Sequence, residues 1–267
     1  MIPILGGGGS GRPKILMAQP LYGWAVHPFS AAQFYRGATA GDRFDVVLKT
    51  ETSSALGKCF NQLYCHALNG RERGQGISHL AMLHGDVIPY PRWLDTHYGE
   101  LTRLGADAIC TVIPLKDRRG VTSTAVGWPD DDWKAARRLT LKQVHRLPET
   151  FCIRDLIEAG LAEPGQCLLG NTGCWLLDIR KPWATGTDER GDLRCFFTIR
   201  DRIRRGPDGL WAPQMAPEDW NFSRMLAREG AAVWATRKVA AQHAGHQVFS
   251  NESPWGEWEE DLAAGQE

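Results

Sequence analysis

The stretch His79-Leu80-Ala81-Met82-Leu83-His84-Gly85-Asp86-Val87-Ile88-Pro89 decides how this chain is read. A short apolar run that stops at turn residues is a buried strand, and here the strand runs directly into an acidic residue. Working outward toward the N-terminus, Ala55 to Asn69 carries Leu56, Phe60, Leu63, Tyr64 and Leu68 at helical spacing. Before it, Phe44 to Lys49 reads as a strand, Pro28 to Arg36 as a helix, and Lys14 to Gln19 as a first buried strand stopped by Pro20 and Gly23. Toward the C-terminus, Pro91 to Leu104 reads as a helix and Ala106 to Pro114 as another strand. Strand and helix alternate through the first half, which predicts an α/β fold with a mainly parallel twisted sheet flanked by helices. Ligands of such sheets bind off the carboxyl ends of the strands, where His84-Gly85-Asp86 falls.

The second half is less regular. Val126 to Thr150, rich in Trp, Pro and charge, is expected to form surface loops and a helix. Gly170-Asn171-Thr172-Gly173 precedes a strand from Cys174 to Ile179, and many charges and turn residues fill Trp183 to Met215. Pro217-Glu218-Asp219 opens a helix running to Arg228, with acidic groups at its positive end. Ala232 to Ala235 reads as a strand, followed by Gln242-His243-Ala244-Gly245-His246. The division is a flexible leader over 1–13, a first half over 14–115, a second half over 116–250, and a tail over 251–267, within a single domain.

Composition narrows the function classes. The 267 residues, 43% hydrophobic and 23% charged, can bury a sizeable core. Thirty-one basic and 31 acidic side chains cancel, so the chain exerts no global pull on a polyanion. The seven cysteines form no CxxC pair, which argues against a zinc ribbon and a paired disulfide framework. The run Gly6-Gly7-Gly8-Gly9-Ser10-Gly11 lacks the Lys-Ser/Thr ending of a phosphate-binding loop. With no apolar span and no signal-like segment, the expectation is a cytoplasmic protein without a membrane partner.

Transfer of a sugar from a nucleoside diphosphate requires neutralising the leaving diphosphate and removing a proton from the acceptor hydroxyl. Asp86 at a strand end, Glu218-Asp219 at a helix start and His243 just past a strand supply groups of these types. Taken singly each has a plainer reading: Asp86 as a turn residue, Glu218 and Asp219 as helix-start residues, His243 as a loop histidine.

In order along the chain, the strand with His84-Gly85-Asp86, then Gly170-Asn171-Thr172-Gly173, then Pro217-Glu218-Asp219-Trp220, then His243-x-Gly245, resemble the GT-A glycosyltransferases, in particular the small family-2-like enzymes of bacteria and phages. The resemblance implies a metal-dependent glycosyltransferase that moves a sugar from a nucleotide-sugar donor, UDP-sugar foremost, with inversion, and makes 14–115 the nucleotide-sugar-binding half and 116–250 the acceptor-binding and catalytic half. Through it Asp86 and His243, with His84, inherit a divalent metal, Mn2+ or Mg2+. Asp219 inherits the role of base and Glu218 that of its neighbour in acceptor binding. Gln19, Tyr22, Glu51, Asn61, His84, Asp86 and Gly173 fall on the donor side. The acceptor is a glycan or a hydroxylated base in DNA; for the latter, Arg200-x-Arg202-x-Arg204-Arg205 is the best basic patch. The departure is His84, which stands where the first Asp of the family's Asp-x-Asp motif would stand and brings no negative charge. A non-catalytic nucleotide-sugar-binding relative and a nucleotidyltransferase are the alternatives.

Overall fold

A computed structural model describes residues 11–21, 26–37 and 42–260. The first half alternates as its apolar runs require: β1 (Lys14–Leu21), α1 (Pro28–Gly37), β2 (Asp45–Thr52), α2 (Leu56–Glu72), β3 (Ile77–Leu83), β4 (Val87–Pro89), α3 (Trp93–Leu104) and β5 (Ala108–Thr111). All of β3 and the centre of β1 are buried, because helices cover both faces of the sheet. The period-two alternation divides their side chains between two cores. Leu16, Ala18, Leu80 and Met82 pack with Phe60, Leu63 and Tyr64 of α2. Ile15, Met17, Ala81 and Leu83 join Phe34 of α1 and Trp93 and Leu94 of α3.

The second half contributes β6 (Val121–Gly127), β7 (Arg137–Thr140), the one-turn α4 (Leu141–Val144), β8 (Thr150–Cys152), α5 (Ile153–Glu158), β9 (Cys167–Leu169) and β10 (Cys174–Asp178). Then follow β11 (Arg200–Arg205), β12 (Trp211–Ala216), α6 (Glu218–Arg228), β13 (Val233–Thr236), β14 (Ala241–Ala244) and β15 (Val248–Ser250). The main sheet has the order β2-β1-β3-β10-β5-β13-β8. Its pairings are parallel for β1 with β2 and β3 and for β13 with β5, and antiparallel around β10 and β8. Five strands therefore share one direction and two oppose it: an α/β fold with a mixed sheet, somewhat less parallel than the sequence suggests. Strands from both halves of the chain alternate in this sheet, so it is one body rather than two.

Two stretches differ from expectation. Residues 126–150 form strands of a small β7-β6-β9 sheet with only one turn of helix. Their Arg and Trp residues hide the strand pattern, since Arg138 lies half-buried over the ring of Trp220. The charged region before α6 contains the β11–β12 hairpin, whose residues are mostly exposed on both faces, so no apolar alternation marks it. Residues 251–260, read as the start of a tail, pack onto the body. Asn251 is buried and its side-chain amide donates to the carbonyls of Val112 and Val239.

This topology places the site. Because β10 runs against β3 and β5, its N-terminal end meets their carboxyl ends, with Cys174 opposite Leu83. Helix α6 returns to β13 through a short loop, so its N-terminus lies at the same edge. Pairing of β14 with β4 brings His243 opposite Val87.

Candidate active site

The turn after β3 is fixed by its backbone. Val87 N–H donates to the His84 carbonyl, His27 N–H to the Gly85 carbonyl, and Ala244 N–H to the Asp86 carbonyl. The Asp86 side chain then stands between two nitrogen groups. Lys116 Nζ lies 2.5 Å from its Oδ2, and His243 Nε2 lies 3.5 Å from the same oxygen. His243 Nδ1 is 2.8 Å from the Pro114 carbonyl. That carbonyl can only accept, so Nδ1 carries the hydrogen and Nε2 faces the carboxylate. Burial pulls the Asp86 carboxyl upward, but the hydrogen bonds of His243 and Lys116 and the charge of His243 outweigh it and hold the group well below the usual carboxylate range. Asp86 is a standing anion.

His84 takes a different part. Its backbone N–H donates to the Gly173 carbonyl, its own carbonyl accepts from Ser30 Oγ, and its Nε2 lies 2.9 Å from Thr172 Oγ1. Its ring packs 5.2 Å from Phe60. Burial lowers its pKa to about 4, against the opposing charge of Asp86, so the imidazole is neutral at physiological pH. Its Nε2 is thus engaged by Thr172. Among the described residues no group of three His, Cys, Asp or Glu side chains could hold a metal ion.

The Gly170–Gly173 turn links this cluster to α6. Asn171 Nδ2 donates to the Thr111 carbonyl and its Oδ1 accepts from Gly173 N–H. Gly170 N–H donates to Ser223 Oγ, which in turn donates to the Asp219 carbonyl. A Cβ on Gly173 would lie 2.8 Å from Ile113 Cδ1 and 3.2 Å from Val87 Cγ2. Gly173 is thus closely packed by these side chains.

At the start of α6 the electrostatics reverse. Asp219 Oδ1 accepts from Trp220 N–H at 2.8 Å. Burial, and then the charge of Glu218, push the Asp219 carboxyl up to about 7, against the Trp220 N–H and Arg138. Burial also raises Glu218. Trp220 is held by its Nε1–H, which donates to the Ser123 carbonyl, and by Arg138 stacked at 4.4 Å. A carboxyl poised near neutrality can accept a proton and release it again.

On the donor side, several expected residues are spent on structure. Gln19 is buried and donates to Ser30 Oγ. Asn61 uses both ends of its amide on Phe197, donating to the carbonyl and accepting from the N–H at 2.8 Å each. It clamps the 197–199 segment to α2 and lines the groove between them. Glu51 sits between Lys49 and His66, 3.1 and 3.0 Å away. Burial opposes, but these hydrogen bonds lower its pKa. Tyr22 lies outside the described residues. A groove of about 740 Å³ runs between α2 and the 197–199 segment, lined by Leu56, Lys58, Gln62, His66, Thr198 and Ile199.

The basic patch is also partly committed. Arg200 pairs with Asp132 at 2.5 Å, Arg202 donates to Gln214 and covers the Trp133 ring, and Arg205 stacks on Trp211. Lys116 belongs to none of the motifs that order along the chain picks out. Lys116 carried a usable signal, since it follows the β5 segment at the same sheet edge as Asp86.

No family model matches the chain, and no curated protein matches it. Among solved structures it is similar to A197 from STIV, at 13% identity over 87% of this chain and 86% of that one, with a TM-score of 0.47. It is also similar to UDP-glucose phosphorylase from Trypanosoma brucei, at 13% identity over 73% of this chain and 41% of that one, TM-score 0.33. A third is a mutant UDP-glucose pyrophosphorylase from Leishmania major in complex with UDP-glucose, at 14% identity over 67% and 37%, TM-score 0.33. The chain spans about two fifths of the length of the last two. At these identities and TM-scores, nothing about activity passes from them to this chain.

Proposed function

We propose that this chain is a glycosyltransferase that uses a nucleoside diphosphate sugar, UDP-sugar foremost, as donor. The observation that carries the reading is the pairing of two unlike acidic sites at one sheet edge: a standing anion, Asp86, with Lys116 and His243 on it, and a carboxyl near neutrality, Asp219. In this reading the donor diphosphate lies at the Asp86 cluster. Asp219 removes the proton from the acceptor hydroxyl as that oxygen attacks the anomeric carbon from the face opposite the leaving diphosphate, which gives inversion. Glu218 keeps Asp219 basic by its charge and lines the acceptor side.

A divalent ion bound here would supply electrostatic stabilisation to the leaving phosphates. Asp86 and His243 are the side chains that would hold it once Lys116 leaves the carboxylate; His84 Nε2 is engaged by Thr172. The acceptor is a glycan hydroxyl or a hydroxylated base in DNA. The DNA arm rests on the β11 arginines, of which Arg200, Arg204 and Arg205 are exposed although Arg200 pairs with Asp132 and Arg205 stacks on Trp211. A screen of sugar nucleotides for release of nucleoside diphosphate, with glycan and hydroxymethylated DNA as acceptors, tests this. Release from at least one donor is expected, whereas no release and no binding of any donor would overturn the assignment.

A further inference from the structure

We propose that Lys116 is the resident cation for the donor diphosphate, standing where the resemblance puts a divalent metal; this rests on the donor reading above. The ammonium lies 2.5 Å from Asp86 Oδ2 and both side chains are half-exposed. One of its three N–H donors serves the carboxylate, which leaves two for phosphate oxygens. Asp86 thereby orients the lysine, as an acid does for a phosphate-binding cation.

The position is built rather than accidental. Lys116 follows β5 in a loop closed at its base by Leu115 N–H, which donates to the Val121 carbonyl at 2.8 Å. Its stem runs over Gly245, where a Cβ would stand 3.1 Å from Lys116 Cδ and 3.5 Å from Cβ. The glycine at this point, two residues after His243, leaves the lane the stem occupies. The ligand arithmetic agrees. One expected ligand, His84, bonds to Thr172, and the carboxylate oxygen facing His243 is the one that Lys116 already holds. A metal would have to displace the lysine and then rely on two protein ligands.

The test is calorimetric titration of UDP into wild type, Lys116→Ala and Lys116→Arg, in EDTA and again with Mn2+. Wild type is expected to bind in EDTA with little gain from Mn2+. Lys116→Ala should lose about tenfold or more in EDTA, the scale of one charge-assisted phosphate contact, and recover with Mn2+ because Asp86 and His243 are freed. Lys116→Arg should retain binding in EDTA. Gly245→Val, which crowds the stem without removing the charge, should weaken EDTA binding in the same direction and serves if Lys116→Ala does not fold. Wild-type binding that vanishes in EDTA, with Lys116→Ala binding as tightly as wild type in Mn2+, would overturn the lysine and leave the donor reading standing. No binding of UDP, GDP or dTDP to wild type in either condition would overturn the donor reading, and the lysine's role with it.

Discussion

Asp86 and Asp219 are both aspartates at the carboxyl edge of one sheet, yet their surroundings drive them apart. Asp86 is stabilised as an anion by Lys116 and His243, which outweigh its burial. At Asp219 burial and the neighbouring Glu218 prevail over the Trp220 N–H and Arg138, and the carboxyl is raised to about 7. The first suits holding a cation, Lys116, toward a diphosphate; the second suits proton exchange. In the proposed transfer these two like groups would divide the labour, and the division is set by what each touches rather than by residue type.

The largest break in the comparison is Asp219→Asn. It should lower kcat by roughly 10²- to 10⁴-fold, the usual worth of a general base, with donor KM nearly unchanged; steady-state kinetics check it, and an equal loss of donor binding would remove Asp219 from the base role. Asp86→Ala should act in the opposite way, weakening donor affinity by roughly 10- to 100-fold as Lys116 loses its anchor. Calorimetry with the donor reads this directly. Glu218→Gln removes the like charge beside Asp219, so the pH midpoint of turnover should move toward acid, as measured by a pH–rate profile.

The smallest effect is on stability, and it also differs in sign between the two sites. The folded-state value of Asp219 lies above its unfolded value of 3.8. Its contribution is therefore fully present below pH 3.8 and is lost as pH rises through about 7. Asp219→Asn should consequently raise Tm by a few degrees above neutral pH and leave it unchanged near pH 4, in calorimetric scans. Asp86 behaves conversely, since its depressed value contributes stability above the unfolded pKa that is lost as pH falls through the folded one.

The elements that flank β3 were legible because helices cover both sheet faces, which leaves apolar runs such as Leu80–Leu83 and a helical stripe from Leu56 to Leu68. The β11–β12 hairpin and β7 were not, because Arg138, Arg200 and Arg202 interrupt the alternation while stacking on Trp220, pairing with Asp132 and stacking on Trp133. At the site, Asp86, His243 and Asp219 could be named from order along the chain. What order could not show is contact. Asn61 is turned into a clamp by Phe197, Gly173 is filled by Val87 and Ile113, and His84 bonds to a threonine 88 residues away. Lys116 enters only because β5 ends beside β3's partner β10.

The most direct test is the pH dependence of nucleoside diphosphate release during transfer by the wild-type protein, from about pH 5 to 9. A base at Asp219 predicts turnover that rises with pH and reaches half its maximum near 7, with the rise absent in Asp219→Asn. A profile flat across that range, or one that keeps the same rise in Asp219→Asn, would contradict the assignment.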